Sequence, residues 1–110
     1  MKQQYNPKYT QEQREQVYKM CIEAYGVKAQ VDMAIEEMSE LIKALLKYRR
    51  ATDMQKPTAR EDIIDELADV KVMTKQLEMI FNAEKETQDR IDYKVSRQIQ
   101  RLEQKEARKV

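Results

Sequence analysis

The chain contains no histidine and only one cysteine among its 110 residues. The absence of histidine excludes the Glu-x-x-His di-iron bundle, histidine-ligated zinc sites and Ser-His-Asp catalysis. The single cysteine, Cys21, excludes a disulfide within the chain. A general base must therefore be a carboxylate or a metal-bound water.

Glycine and proline are also scarce, with one Gly and two Pro. Strong helix formers dominate and strand-type alternation is absent, so we predict an all-α fold. The length predicts a single domain over residues 1–110, in which residues 1–9 form a polar lead. No apolar run approaches the ~20 residues of a membrane span and no signal peptide is visible, so we expect a cytoplasmic protein that binds no membrane. The net charge of +1 argues against a nucleic-acid partner.

Breaks in the apolar periodicity divide the chain into four predicted helices. Thr10 is predicted to cap the first helix, and Gly26 and Asn82 are predicted to end the first and third helices. Thr58 and Glu61 have the spacing of a capping box, which predicts that the third helix begins near Ala59. The predicted helices cover about residues 11–25, 28–50, 59–81 and 85–107.

One seven-residue pattern occurs twice, at an offset of 29 residues: residues 35–41 read IEEMSEL and residues 64–70 read IDELADV. Each copy borders an apolar stripe at helical spacing. The stripes are Val31, Ala34, Ile35, Met38, Leu41, Ile42 and Leu45 on the second helix, and Ile63, Leu67, Val70, Thr74, Leu77 and Phe81 on the third. If these stripes pack two antiparallel helices together, four carboxylates enter one cleft, namely those of Glu37, Glu40, Glu66 and Asp69.

Four carboxylates at close range repel one another unless a cation lies between them. A ligand set without His or Cys consists of hard oxygen donors, which suit Mg²⁺ or Mn²⁺. Acidic pairs three residues apart are nevertheless common on solvated helices, and this chain is 37% charged. From the spacing alone, a shared metal site and a solvated acidic face are both open.

The combined pattern Glu37-x-x-Glu40 and Glu66-x-x-Asp69, within EExxEL and DELADV, resembles the signature of the MazG-like all-α nucleoside triphosphate pyrophosphohydrolases. The resemblance spans about residues 25–102. It implies a small four-helix bundle in which these four acids bind Mg²⁺ or Mn²⁺ and carry out catalysis. The implied reaction is hydrolysis of a (deoxy)nucleoside triphosphate to the monophosphate and pyrophosphate, and the implied assembly is a homodimer or homotetramer.

Four residues outside the acidic pattern are candidate substrate contacts. Gln30 lies two helical turns before Glu37, and the resemblance makes its amide a candidate contact to the nucleobase. Lys47 is a candidate phosphate contact, and the resemblance implies that Lys94 or Arg97 of the fourth helix reaches the triphosphate. The alternative for each is an ordinary surface residue. The alternative function is a catalytically silent helical interaction or adaptor module, and a third reading is metal binding without turnover.

Overall fold

The structure is a computed structural model, and it describes residues 5–109. These residues form four α-helices and no strand, which confirms the predicted all-α class. The helices are α1 (Gln11–Tyr25), α2 (Val27–Arg49), α3 (Lys56–Ile80) and α4 (Glu84–Arg108). The predicted polar lead over residues 1–9 lies partly outside the described residues, and residues 5–9 are exposed and non-helical.

The predicted boundaries of α1 are confirmed. The Thr10 hydroxyl accepts a hydrogen bond of 3.1 Å from the Gln13 N–H, and the Gln13 side chain accepts one of 2.8 Å from the Thr10 N–H. This reciprocal capping box satisfies two backbone donors at the start of the helix. Gly26 follows the helix with φ at 92°, a value that L side chains rarely adopt, and its N–H donates to the Ile22 carbonyl.

The predicted start of α3 is wrong, because the helix begins at Lys56 rather than near Ala59. Thr58 lies inside the first turn, so Thr58 and Glu61 do not form the predicted capping box, and no side chain caps this end. Pro57 explains the earlier start. Its fixed φ suits the first turn of a helix, where its missing N–H would have had no helical partner.

The corner between α3 and α4 is built on Asn82, the predicted stop, which has φ at 50°. The Ala83 N–H donates to the Glu78 carbonyl at 2.8 Å, and the Asn82 N–H donates to the Met79 carbonyl at 3.2 Å. These two bonds form a Schellman motif, in which asparagine tolerates the left-handed position. Within residues 5–109, α4 contacts α3 alone and buries none of its residues.

Helices α2 and α3 form the central antiparallel pair. Gln30 near the start of α2 bonds Gln76 near the end of α3, and Lys47 near the end of α2 lies 3.9 Å from Asp62 near the start of α3. The first helix lies along the second half of α3, where Glu15 and Lys75 form an ion pair of 3.2 Å. None of the helices in the described chain has the length and apolar character that crossing a membrane requires.

The apolar stripes pack the pair only in part: Ala34 is buried, and five other stripe residues are half-buried, namely Val31, Leu41, Ile63, Val70 and Leu77. The buried apolar residues of the described chain are Ala34, Ala44, Ala59 and Met73. Three of these four buried residues are small, and several of the larger stripe residues lie beside the contact rather than within it. The stripe residues that are exposed rather than buried are Ile35, Met38, Ile42 and Leu45 on α2, and Leu67, Thr74 and Phe81 on α3.

Candidate functional site

Three of the four predicted ligand carboxylates meet in the groove between α2 and α3. One carboxylate oxygen from each of Glu37, Glu66 and Asp69 lies within 4.8 Å of the other two. Glu37 and Glu66 are half-buried and Asp69 is exposed, so the group opens to solvent on one side. Glu66 and Asp69 are three residues apart on α3, and the antiparallel register brings Glu37 opposite them. We call Glu37, Glu66 and Asp69 the acidic trio.

One oxygen of the trio has no hydrogen-bond partner. Glu66 Oε2 is inaccessible to solvent and receives no hydrogen bond within the described chain. A buried carboxylate oxygen without a donor costs free energy, because the group has lost its water shell and gained nothing in return. A divalent cation or a proton would compensate this atom.

The raised pKa values of Glu37 and Glu66 also favour a bound cation or a proton at the acidic trio. Burial raises the pKa of Glu37, and Asp69, Glu66 and Glu36 raise it further. Burial also raises the pKa of Glu66, with further contributions from Asp69 and Glu40 that act in the same direction. Each anionic neighbour makes the next ionisation less favourable, whereas a bound cation reverses this penalty.

The fourth predicted ligand, Glu40, lies at the edge of the group. Its Oε1 is 3.3 Å from the Lys43 Nζ, one turn further along α2. It is nevertheless close enough to Glu66 to raise the pKa of that carboxyl. The side chains of Lys43 and Glu40 are 71% and 42% exposed, so their ion pair is weak and easily exchanged.

Gln30, the predicted base contact, is buried between α2 and α3. Its Nε2 donates a hydrogen bond of 2.6 Å to Oε1 of Gln76, and both side chains are at most 7% exposed. Contact with a nucleobase is not tested by this arrangement and stays a prediction.

Gln76 was not predicted, although the sequence contains a signal for it. Gln30 lies seven residues before Glu37, and Gln76 lies seven residues after Asp69. Seven residues are about two helical turns, so in an antiparallel pair the two glutamines face each other on the same side as the acids.

The three basic candidates lie at two different places. Lys47 pairs with Asp62, which is one turn before Glu66, so Lys47 lies toward one end of the acidic groove. Lys94 and Arg97 lie in the exposed middle of α4, where the Arg97 guanidinium is 6.0 Å from the centre of the Tyr93 ring. Within the described chain neither of these α4 residues forms an ion pair with the trio.

A separate groove of about 960 Å³ lies between α1 and α3. Tyr9, Val17 and Tyr18 line it from the α1 side, and Ala68 and Val72 line it from the α3 side. None of the four predicted acids lines it. Its walls come from the side of α3 that faces away from α2, so it is not the cleft that the carboxylate pattern predicted.

Comparison with known proteins leaves the family undetermined. No family model matches the chain, and no curated protein or solved structure matches it either. The likeness to the MazG-like pyrophosphohydrolases therefore rests on the motif residues themselves, and the family assignment stays a prediction.

Proposed function

We propose that the chain is a Mg²⁺-dependent pyrophosphohydrolase that converts a (deoxy)nucleoside triphosphate to the monophosphate and pyrophosphate. The observation that carries this proposal is the convergence of Glu37, Glu66 and Asp69 within 4.8 Å, together with the unpartnered Oε2 of Glu66. The donors are all carboxylates, the ligand type that Mg²⁺ and Mn²⁺ prefer.

In this proposal Glu37, Glu66 and Asp69 would hold the metal, and Glu40 would be a fourth ligand once its carboxylate is free of Lys43. The metal would neutralise phosphate charge and lower the pKa of the water that attacks the α-phosphorus. Attack breaks the bond from the α-phosphorus to the bridging oxygen, and pyrophosphate leaves. The four carboxylates orient this assembly, because the packed pair α2–α3 fixes their backbones.

The substrate contacts of the proposal are Gln30 for the base and Lys47, Lys94 and Arg97 for the phosphates. The chain has a single glycine and therefore no glycine-rich loop to hold phosphates with backbone N–H groups. Basic side chains must supply that contact. A homodimer or homotetramer is part of the same proposal, since Lys94 and Arg97 lie on a helix that is not packed against α2 in one chain.

The rival proposal is a helical interaction module without catalysis. The observation that favours it is the exposure of the apolar stripe of α4, where Ile91, Val95, Ile99 and Leu102 are 44–62% exposed. An amphipathic helix with an uncovered stripe is a common way to bind a partner.

One experiment separates the two proposals. Pyrophosphate release is measured from all canonical ribo- and deoxyribonucleoside triphosphates, with Mg²⁺, Mn²⁺ or EDTA, for the wild type and for Glu66→Gln and Asp69→Asn. Glu61→Gln is the matched control, because Glu61 is exposed and, among residues 5–109, forms an ion pair with Arg60 alone.

Metal-dependent release by the wild type and by Glu61→Gln, lost in the two site variants, supports the hydrolase. Absence of release from a folded wild type, or full activity in a folded Glu66→Gln, contradicts it. Saturable metal binding without release from any nucleotide would favour a metal-binding protein without turnover.

A further inference from the structure

The larger part of α4 stands free of the rest of the chain. Residues 88–109 are all exposed, and within the described chain α4 contacts α3 alone. About 30 Å of helix is therefore open to solvent. One side of this segment carries five basic residues, and we call it the basic stripe: Lys94, Arg97, Arg101, Lys105 and Arg108.

Basic and acidic residues lie on opposite sides of this helix. At about 100° per residue, the basic stripe occupies an arc of about 80° centred on Arg101, and it runs for about 21 Å along the axis. None of its five members forms an ion pair among residues 5–109. The acidic residues within 89–108 lie about 120–180° around the helix from Arg101, and they are Asp89, Asp92, Glu103 and Glu106.

The basic stripe destabilises its own helix as long as no anion binds to it. Its consecutive members are three or four residues apart, a spacing at which side chains are neighbours and like charges repel. The helix dipole stabilises Lys105 and Arg108, which lie in the last turn. This effect does not extend to Arg101, which lies about two turns before the end of α4, so the dipole does not account for the whole stripe.

The shape of the basic stripe indicates a polymeric anion. Five charges in one line over about 21 Å match a ligand that repeats its negative charge at regular intervals, as the backbone of a nucleic acid does. Basic residues clustered along one side of a helix are typical of nucleic-acid-binding proteins. The net charge of +1 argues against such a partner for the chain as a whole, but it averages over two oppositely charged sides of α4.

An exposed aromatic ring borders the basic stripe. Tyr93 is 63% exposed, and the centre of its ring is 6.0 Å from the Arg97 guanidinium. Proteins that bind single strands combine basic residues, which contact the phosphates, with aromatic rings on which bases stack. Tyr93 and Arg97 supply both elements side by side.

We propose that the basic stripe binds the phosphate backbone of a single-stranded nucleic acid, and that a base stacks on Tyr93. A duplex fits less well, because a helix in its groove has phosphates on both sides and would bring Glu103 against one strand. An anionic membrane also fits less well. Its headgroups would lie along both flanks of the apolar stripe of α4, and Asp92 and Glu103 lie on one of these flanks.

This proposal goes beyond the proposed hydrolysis and does not depend on it. Lys94 and Arg97 are candidate contacts to a triphosphate, but the basic stripe continues past Arg97 for about 16 Å. Arg101 and Lys105 have no part in the proposed active site. Substitutions of these two residues therefore separate strand binding from hydrolysis.

Fluorescence anisotropy with a labelled oligouridylate of about 20 nucleotides tests the proposal, in EDTA so that no divalent metal takes part. Five phosphate contacts predict that the logarithm of the association constant falls with the logarithm of the salt concentration at a slope of about −3.5. The double variant Arg101→Gln/Lys105→Gln is expected to bind about tenfold more weakly and to reduce the slope to about −2.

The double variant Lys19→Gln/Lys85→Gln is the matched control with the same net charge. Lys19 lies on α1, Lys85 lies about 160° around α4 from Arg101, and both are exposed. This control is expected to bind the strand as the wild type does. Tyr93→Ala is expected to bind at least about fivefold more weakly, whereas Tyr93→Phe retains a ring for stacking and should retain the affinity.

A duplex of the same length and vesicles containing phosphatidylserine complete the comparison. Salt-dependent binding that is tightest for the single strand and is weakened selectively in Arg101→Gln/Lys105→Gln supports the proposal. Absence of salt-dependent binding by the folded wild type, equal affinities of the two double variants, or tighter binding to the duplex or to the vesicles overturns it. An unchanged affinity of Tyr93→Ala overturns the stacking of a base on Tyr93.

Discussion

The side-chain amide of Gln30 donates a 2.6 Å hydrogen bond to Gln76 inside the contact between α2 and α3. The two glutamines are the buried polar residues of the described chain, with 7% and 3% exposure. They lie at the end of the pair where α2 begins, two turns from the acidic trio. The bond therefore aligns the register that brings Glu37 opposite Asp69.

Gln76→Ala is expected to lower the free energy of unfolding by about 1–3 kcal/mol, because it leaves the buried amide of Gln30 without its acceptor. The double variant with Gln30→Ala is expected to lose less than the sum of the single losses. Urea unfolding of the wild type, the two single variants and the double variant measures the coupling energy between Gln30 and Gln76. Gln98→Ala, at an exposed position of α4, is the control and should change stability by no more than about 0.5 kcal/mol. Additive losses would show that the two amides do not act as a pair.

Glu66→Gln is expected to change how stability depends on pH in the absence of metal. Burial and anionic neighbours raise the pKa of Glu66 above its ordinary value of 4.5. Between pH 4.5 and the raised pKa of Glu66, the folded chain binds more protons at Glu66 than the unfolded chain does. Wild-type stability therefore falls as pH rises through this interval. Glutamine does not titrate, so the variant lacks this loss.

Urea unfolding with EDTA at about pH 4 and about pH 7 tests this sign. The stability of Glu66→Gln relative to the wild type should increase from the lower to the higher pH. If the acidic trio binds Mg²⁺ as proposed, saturating Mg²⁺ at the higher pH should then stabilise the wild type more than the variant, which lacks one of the three carboxylates. A relative stability that is unchanged or decreases with pH contradicts the assigned direction.

Thr10→Ala removes the hydroxyl that accepts from the Gln13 N–H, and it is expected to cost about 1 kcal/mol. Thr10→Ser keeps an acceptor and should behave like the wild type. Hydrogen exchange gives a local readout, since the Gln13 amide should lose protection in the alanine variant alone. Equal protection of the Gln13 amide in all three proteins would mean that the capping box of Thr10 and Gln13 does not stabilise the start of α1.

Lys43→Gln is expected to strengthen Mg²⁺ binding at the proposed site, because the Lys43 Nζ lies 3.3 Å from the Glu40 Oε1 and would compete with the metal for that carboxylate. An exposed pair of this kind is worth about 0.2–1 kcal/mol, so the gain in affinity should not exceed about fivefold. Calorimetric titration measures it, with Lys105→Gln on exposed α4 as the control for a change in overall charge. Equal affinities in the two variants would show that Glu40 takes no part in the site.

The helices and their ends are largely predictable because local chemistry decides them. The helix ends at Thr10, Gly26 and Asn82 are set by the conformation of each residue and by hydrogen bonds to residues nearby in the sequence. The start of α3 is the exception, since the capping pattern at Thr58 competes with the conformational preference of Pro57. Pro57 is the stronger signal, because its ring fixes φ at a value that suits a helix. The Thr58 hydroxyl could only favour a helix start through a hydrogen bond.

The side of each helix that is buried is harder to predict from periodicity. An apolar stripe shows that a side of the helix avoids water, but not which neighbour covers it. Ala34 and Ala44 make the contact within the chain, whereas Ile35 and Ile42 are exposed beside it. Three of the four carboxylates that the acidic motifs predicted lie together, and the fourth, that of Glu40, pairs with Lys43 one turn away.

The central claim is that the acidic trio is a divalent-metal site, and Mn²⁺ binding followed by electron paramagnetic resonance tests it most directly. Titrations of the wild type, Glu66→Gln and Glu61→Gln separate the trio from acidic charge in general. We expect saturable binding in the wild type and in Glu61→Gln, and binding weaker by about tenfold or more in Glu66→Gln. Equal affinity in all three proteins, or no saturable binding by the folded wild type, would contradict the claim.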